Sequence, residues 1–301
     1  MHDVYCTKLK DRSILSITGP DTLAFLQGIV TNDMEKLVEK KMQFSAILTP
    51  QGKYLYDFFI FFTSSGIFID CQKDNVDALE KTLNMYRLRA KVEIINRRDA
   101  FSVFSIIRQQ NEVKNSTEDQ YENLNKFKEV MTFADPRLTQ LGTRAIIPNK
   151  FENQIIPRHG FIEKNEIWYK HLQMSLGVTD YMPNSVLRGY FPLELGFDEL
   201  NAVSFNKGCY VGQEVTARMK VRNLVKKRLV PVSFQGEIPA TGTNILSQGK
   251  GLGEILAVTN NQGLAMFRIE ALNQALNEER ELLAENTLVK PTIPSWFNLI
   301  S

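Results

Sequence analysis

Cys209 stands in the run Lys207-Gly208-Cys209-Tyr210-Val211-Gly212-Gln213-Glu214. Gly208 and Gly212 bracket it, and glycine permits backbone conformations closed to other residues and close approach of a ligand or partner. A thiol at such a bend is reachable. Lys207, and further along Arg218 and Lys220, bring positive charge near it in sequence. Positive neighbours favour the thiolate, which is both the nucleophile and the metal ligand. Gln213 and Glu214 add polar groups that can hold the turn or a ligand. Against this stands the common fate of a free cysteine, which is to be a small buried hydrophobe. Residue types alone leave both readings open.

A second candidate is Asp57, inside the apolar run Tyr54 to Phe62. On a strand period of two it shares a face with Leu55, Phe59 and Phe61. If that face is internal, an ionised carboxylate there costs several kcal/mol, roughly, unless it is paired or neutralised. A perturbed carboxylate in a cleft is a functional candidate; an edge-strand charge that blocks aggregation is the alternative. The third feature is a basic strip, Arg218, Lys220, Arg222, Lys226, Lys227 and Arg228, with no acid among them. The first three alternate, so a strand would place them on one face. Such a strip attracts a polyglutamyl tail, an acidic partner or RNA, or is a solvated face. No aromatic residues interleave it, so direct nucleic-acid binding is not expected.

The elements that must position these groups read as follows. Ile14 to Ile17 is a short strand, and Gly19-Pro20-Asp21 leads into a helical stripe of Leu23, Phe25, Leu26, Ile29 and Val30, with Asp21 as N-cap. Phe44 to Leu48 and Tyr54 to Phe62 are strands around the turn Pro50-Gln51-Gly52, and Ile67 to Ile69 returns beside them. Asp74 to Tyr86 is a helix with Val76, Leu79 and Leu83 on one face. Val92 to Ile95, Phe101 to Ile107 and Val130 to Phe133 are strand-like, and polar Gln109 to Glu129 is an exposed insertion. Tyr169 to Gly177 is helical, with Gly177 ending it. From Leu229 onward, short apolar pieces alternate with Gly, Pro and Asn, the texture of a small antiparallel barrel.

Composition narrows the class. The 301 residues carry 43% apolar and 23% charged residues and a net charge of +2, so the chain is globular and bulk charge selects no partner. Its three cysteines, at 6, 71 and 209, are widely spaced and include no CxxC pair. That argues against disulfides and zinc ribbons and fits a reducing compartment. An iron–sulfur cluster held by this chain alone would need more thiolates than these spacings offer. The start Met1-His2-Asp3-Val4-Tyr5-Cys6 has neither the basic nor the apolar region of a signal peptide. Phe58 to Phe62 is far shorter than the roughly 20 residues of a membrane helix. A soluble cytoplasmic protein is expected.

The stretch Leu193-Glu194-Leu195-Gly196-Phe197-Asp198, Leu200 to Phe205, the Cys209 run and Val215-Thr216-Ala217-Arg218-Met219 resembles the YgfZ/GcvT-type folate-binding family. So do Gly19-Pro20-Asp21, Phe25-Leu26-Gln27-Gly28, Thr31-Asn32-Asp33, Leu48 to Lys53, Tyr86 to Arg89 and Asp135 to Leu138. The family includes mitochondrial iron–sulfur assembly factors and shares its fold with the aminomethyltransferase of the glycine cleavage system. The resemblance implies an α+β, three-lobed aminomethyltransferase-like fold. Residues 1–100 and 101–228 would form the folate-binding α+β lobes and 229–301 a C-terminal antiparallel β-barrel. It implies tetrahydrofolate as ligand and a role in maturing iron–sulfur enzymes, some of which modify tRNA. Cys209 would be the functional residue, supported by Lys207, Gly208, Gly212, Gln213 and Glu214. The partners implied are client iron–sulfur enzymes and an A-type iron–sulfur carrier, whose thiolates could share a transient cluster with Cys209.

Resemblance also places Asp57 at the folate, since Gly52 to Asp57 is similar to the aminomethyltransferase segment ending in a folate-contacting Asp. Glu194 is a further candidate contact, with a solvated side chain as its alternative. One departure stands out. Related proteins carry Arg where Gln173 sits, and glutamine cannot supply that charge to a folate tail; Arg188 is a possible substitute. The competing function is a folate-dependent aminomethyl transferase, but the Cys209 run belongs to the assembly factors. A folate-dependent redox enzyme would need a base beside Cys209, and nothing ties His159 or His171 to it.

Overall fold

The computed structural model describes residues 3–108, 129–157, 160–180 and 182–297. Most of the polar stretch after Gln109, and His159, lie outside the described residues. The chain divides into two compact units. The first takes Met1–Leu48, Tyr56–Tyr169 and Leu200–Val211.

This unit is built on two five-stranded sheets. One runs, in spatial order, Met42–Leu48, Tyr54–Thr63, Gly66–Gln72, Arg12–Thr18 and Glu93–Asn96. Met42–Leu48 is buried along its whole length, so both of its faces are covered. Tyr54–Thr63 turns into Gly66–Gln72 with Thr63 opposite Gly66. Gly66 holds φ +131°, a value that favours glycine. The helix Val76–Arg87 packs by Val76, Leu79 and Leu83, the three- and four-residue spacing that makes one apolar stripe. Asp21 stands at the N-terminus of the helix Thr22–Gln27 but makes no side-chain cap; its Oδ2 instead accepts from the Lys91 N–H at 2.7 Å.

The second sheet runs Ile162–Glu163, Val4–Leu9, Phe101–Arg108, Thr143–Pro148 and Met131–Ala134. Val4–Leu9 was not anticipated as a strand. It pairs antiparallel with Phe101–Arg108, so this sheet draws on the chain's start as well as on residues after 100. Cys6, Phe104, Ile106, Ala145 and Ile147 form its core.

The second unit takes Thr49–Leu55, Lys170–Glu199 and Gly212–Ser301. Its strands Lys227–Gln235, Gln262–Arg268, Lys250–Thr259, Asn244–Ser247, Leu283–Ala284 and Thr287–Pro291 close into a barrel, with every pairing antiparallel. Closure leaves no open edge to aggregate. The helix Ile269–Asn277, not anticipated, inserts Leu272 and Ala275 among Val230, Ile255 and Phe267. Among the described residues no helix is long and apolar enough to cross a membrane.

Candidate functional site

The loop that carries Cys209 is fastened to the segment Val30–Asp33 within the first unit. Asn32 Nδ2 donates to the carbonyls of Phe44 and Asn201, at 2.8 and 2.7 Å. Thr31 Oγ1 donates to the Ala202 carbonyl at 2.7 Å, and the Ser204 N–H donates to the Thr31 carbonyl at 3.0 Å. Lys207 completes the seam. Its Nζ donates to the carbonyls of Gln27, Val30 and Asn32 at 2.8, 2.7 and 2.7 Å, and lies 5.0 Å from the centre of the Tyr210 ring. With Lys207 half-buried and Tyr210 buried on either side, Gly208 and Cys209 are left exposed at the tip.

Lys207 thereby has a structural role that its place beside Cys209 in the sequence did not show. Its ammonium is committed to three backbone carbonyls, so it anchors the thiol's loop. Burial pulls its pKa down to about 8, against the opposing charge of Asp33. Asp33 is itself buried. Burial alone would raise its pKa, but bonds from Gln27 and the Glu35 N–H, with the charges of Lys36 and Lys207, bring it below the ordinary value.

The glycines differ. A Cβ at Gly208 would meet nothing within 4 Å, whereas Gly212 adopts φ +81°. Gly212 opens the helix Gln213–Val221 in the second unit. Glu214 lies exposed in its first turn, where a negative charge suits the helix dipole. In that unit Gly52, at φ +75°, comes so close to Val215 and the Gly212 carbonyl that a Cβ would sit 2.8 Å from Val215 Cβ.

Cys6 and Cys71 are buried, and burial is the main cause that pushes each thiol up to about 12. Cys209 is thus the one exposed thiol of the three. Among the described residues no three His, Cys, Asp or Glu side chains cluster as a metal site.

Asp57 is 4% exposed and lies within residues 56–61 of the strand Tyr54–Thr63, which are buried on both faces. Phe59, two residues on, is the platform of a buried ionic chain that sequence reading missed. Arg12 Nε donates to Asp70 Oδ1 at 2.7 Å, and Arg144 Nη1 to Asp70 Oδ2 at 2.6 Å. Arg144 Nε reaches Asp135 at 3.4 Å, and Asp135 takes two bonds from Arg137, at 2.9 and 2.8 Å. The guanidinium carbons of Arg12, Arg137 and Arg144 lie 5.5, 4.7 and 3.7 Å from the centre of the Phe59 ring. Asp70 sits directly across from Phe59 on the next strand. Only the charge of Asp135-Pro136-Arg137 hinted at this; pairing across the fold is invisible in a linear sequence. A cavity of about 570 Å³ elsewhere in this unit, lined by Cys6, Lys8, Glu152 and Lys164 among others, includes neither Cys209 nor Asp57.

In the second unit Glu194 is buried, not solvated, and its Oε2 accepts from the Phe191 N–H at 2.8 Å. Gln173 is buried and donates to Asp180 Oδ2 at 2.6 Å. Arg188 is exposed. His171 is part-buried between Gln262 and Asn260 rather than free on the surface.

The first three residues of the basic strip do not lie on a strand. Arg218 and Lys220 lie on the helix Gln213–Val221 and Arg222 caps it, so at 100° per residue Arg218 and Arg222 share a face and Lys220 points away from them. Lys220 pairs with Asp198. Arg228 is buried, bonded to Glu199 at 2.8 Å and 4.2 Å from the Phe297 ring centre.

The architecture is that of an aminomethyltransferase-like fold ending in a closed six-stranded barrel. It superimposes on the glycine cleavage system aminomethyltransferase T of Bartonella henselae with a TM-score of 0.70 at 12% identity, covering 96% of this chain and 85% of that one. Residues 226–299 match the C-terminal β-barrel domain of CAF17. Along nearly its whole length the chain is similar to proteins named as the mitochondrial iron–sulfur cluster assembly factor IBA57. The mouse protein is 27% identical over 97% of this chain and 85% of its own, and the human protein 28% over 98% and 86%. These likenesses bear out the aminomethyltransferase-like fold with a C-terminal barrel read from the sequence.

Proposed function

We propose that this chain is an accessory factor for assembling or repairing iron–sulfur clusters in client enzymes, acting through Cys209. One observation carries the reading: a single exposed thiol on a loop pinned by Lys207, in a chain similar end to end to proteins named as assembly factors. The cluster is cargo. One thiolate from Cys209 with thiolates of an A-type carrier completes a bridging ligand set that neither side needs to hold alone. Clients include enzymes that modify tRNA, and the free thiols call for a reducing compartment.

Tetrahydrofolate is the proposed ligand. The buried carboxylate of Asp57 fits the pterin end, since it can accept from ring N–H groups. At the position of Gln173 the donor set does not fit a tail carboxylate, because the amide is tied to the acidic Asp180. The likeness to the aminomethyltransferase, at 12% identity, supports the fold alone, so transferase chemistry is not adopted.

The test is anaerobic mixing of the purified protein with an A-type carrier, iron and sulfide, followed by visible absorption and circular dichroism. A cluster spectrum specific to the mixture is expected with wild type and absent with Cys209→Ala. In cells lacking the gene, Cys209→Ala should fail to restore cluster-dependent enzymes. Full restoration by that variant would overturn the reading.

A further inference from the structure

The helix Gln213–Val221 ends in a way its own fold does not explain. Asn223 takes the left-handed conformation at φ +49°. The Asn223 and Leu224 N–H groups donate back to the carbonyls of Lys220 and Met219. This is a Schellman closure, in which the residue in Leu224's place ordinarily packs down on the last turn. Here Leu224 stays 40% exposed and Val221 is 85% exposed. Two large aliphatic groups are therefore held at a rigid corner, facing out.

Cations frame them. Arg222, Lys226 and Lys227 are exposed and hold no ion pair among the described residues. No acidic residue occurs from Val215 to Gly236. Lys227 lies directly across the barrel wall from Arg268, also exposed, and like charges placed opposite one another destabilise a sheet. The groove beside them, about 290 Å³, has Tyr190, Asn244 and Glu254 as further polar lining, so the cations Lys227 and Arg268 outnumber its one carboxylate. Helix-dipole compensation accounts for cations in the last turn. It accounts neither for Lys226, Lys227 and Arg268 beyond the helix nor for the bare aliphatic pair.

We propose that Val221, Leu224, Arg222, Lys226 and Lys227 form a docking surface for an acidic protein that offers an apolar hollow within a carboxylate rim. The charge calls for acidic complementarity. The aliphatic centre favours protein over nucleic acid, which would meet aromatic stacking groups instead. The surface lies wholly in the second unit and does not depend on the reading of Cys209.

A photo-crosslinking amino acid placed at Val221 of the full chain in cells tests this, with the same group at exposed Met85 as control. One acidic protein adduct at 221 and none at 85 is expected. The adduct should persist in a Cys209→Ala background and after ribonuclease. With that protein purified, Kd should rise at least about tenfold in Arg222→Glu/Lys226→Glu, in Val221→Ser/Leu224→Ser, and on moving from about 50 to about 500 mM salt. No adduct beyond the control, loss of the adduct in Cys209→Ala, a ribonuclease-sensitive adduct, or unchanged affinity in both double variants would overturn the surface. An acidic partner with no part in cluster assembly would instead sink the assembly reading and leave the surface standing.

Discussion

Lys207 and Val30 meet through an ammonium-to-carbonyl bond of 2.7 Å that joins the Cys209 loop to a segment far away in sequence. The same Nζ serves Gln27 and Asn32, so one side chain satisfies three carbonyls. Lys207→Met keeps the stem and removes every donor. The half-buried site and loss of charge-assisted bonds set the cost at about 2–4 kcal/mol. A lower urea midpoint, with faster amide exchange in residues 200–211, is the expected result. Unchanged exchange there would show that the anchor lies elsewhere.

Thiol accessibility can be counted. The native protein should release about one equivalent of thiol to an aromatic disulfide reagent rapidly, because Cys209 is exposed while Cys6 and Cys71 are buried with pKa values near 12. Denaturant should release all three cysteines of the sequence. Cys209→Ala should abolish the fast phase with no loss of stability, since an exposed side chain contributes little packing.

In the row Arg12, Asp70, Arg144, Asp135 and Arg137, Arg144 is the member shared by both carboxylates. Arg144→Met leaves Asp70 with Arg12 alone and Asp135 with Arg137 alone, in a site with no solvent to compensate. The variant loses hydrogen bonds between charged groups, each worth about 1.5–3 kcal/mol. If urea unfolding shows less than about 1 kcal/mol, the row is not the internal support its geometry describes.

What was legible in the sequence followed from local pattern. The strand around Asp57, the helix Val76–Arg87 and the terminal barrel were all carried by apolar spacing or turn residues. Val4–Leu9 was missed because it is short and its partner lies about a hundred residues on. Ile269–Asn277 was hidden among strand-like neighbours, although Ile269, Leu272 and Ala275 do keep a helical spacing. Alternating Arg218, Lys220 and Arg222 invited a strand reading, but strong helix formers such as Ala217 and Met219 carried the segment into a helix. At the site, residue types left Cys209 open between a buried and a reachable thiol, and its exposure, like the anchoring by Lys207, depends on carbonyls that sequence cannot place.

Asp33 gives a pH signature with a definite sign. Its folded pKa lies below the ordinary 3.8, since hydrogen bonds and nearby lysines outweigh the effect of burial. Such a group stabilises the fold at pH above its unfolded value, about 4, and that contribution is lost as pH falls through the lower folded value. Urea midpoints measured from about pH 6 down to about pH 2 should therefore fall less steeply in Asp33→Asn than in wild type. Parallel curves would mean that this carboxylate titrates alike in both states.

Asp57 separates ligand binding from stability. Its carboxylate sits on the same strand face as Phe59, internal and 4% exposed. A pterin bonded there would lose a charge-assisted acceptor in Asp57→Asn, and such a bond is worth about 1.5–3 kcal/mol. That is roughly a 10- to 150-fold weakening of tetrahydrofolate affinity by calorimetry. Because the amide is nearly isosteric, the barrel and both sheets should keep their native circular dichroism. Cys209→Ala should bind folate as wild type does, since the thiol is exposed on a different element from the strand that carries Asp57. Equal affinity in Asp57→Asn and wild type would remove Asp57 from the folate site while leaving the thiol chemistry of Cys209 untouched.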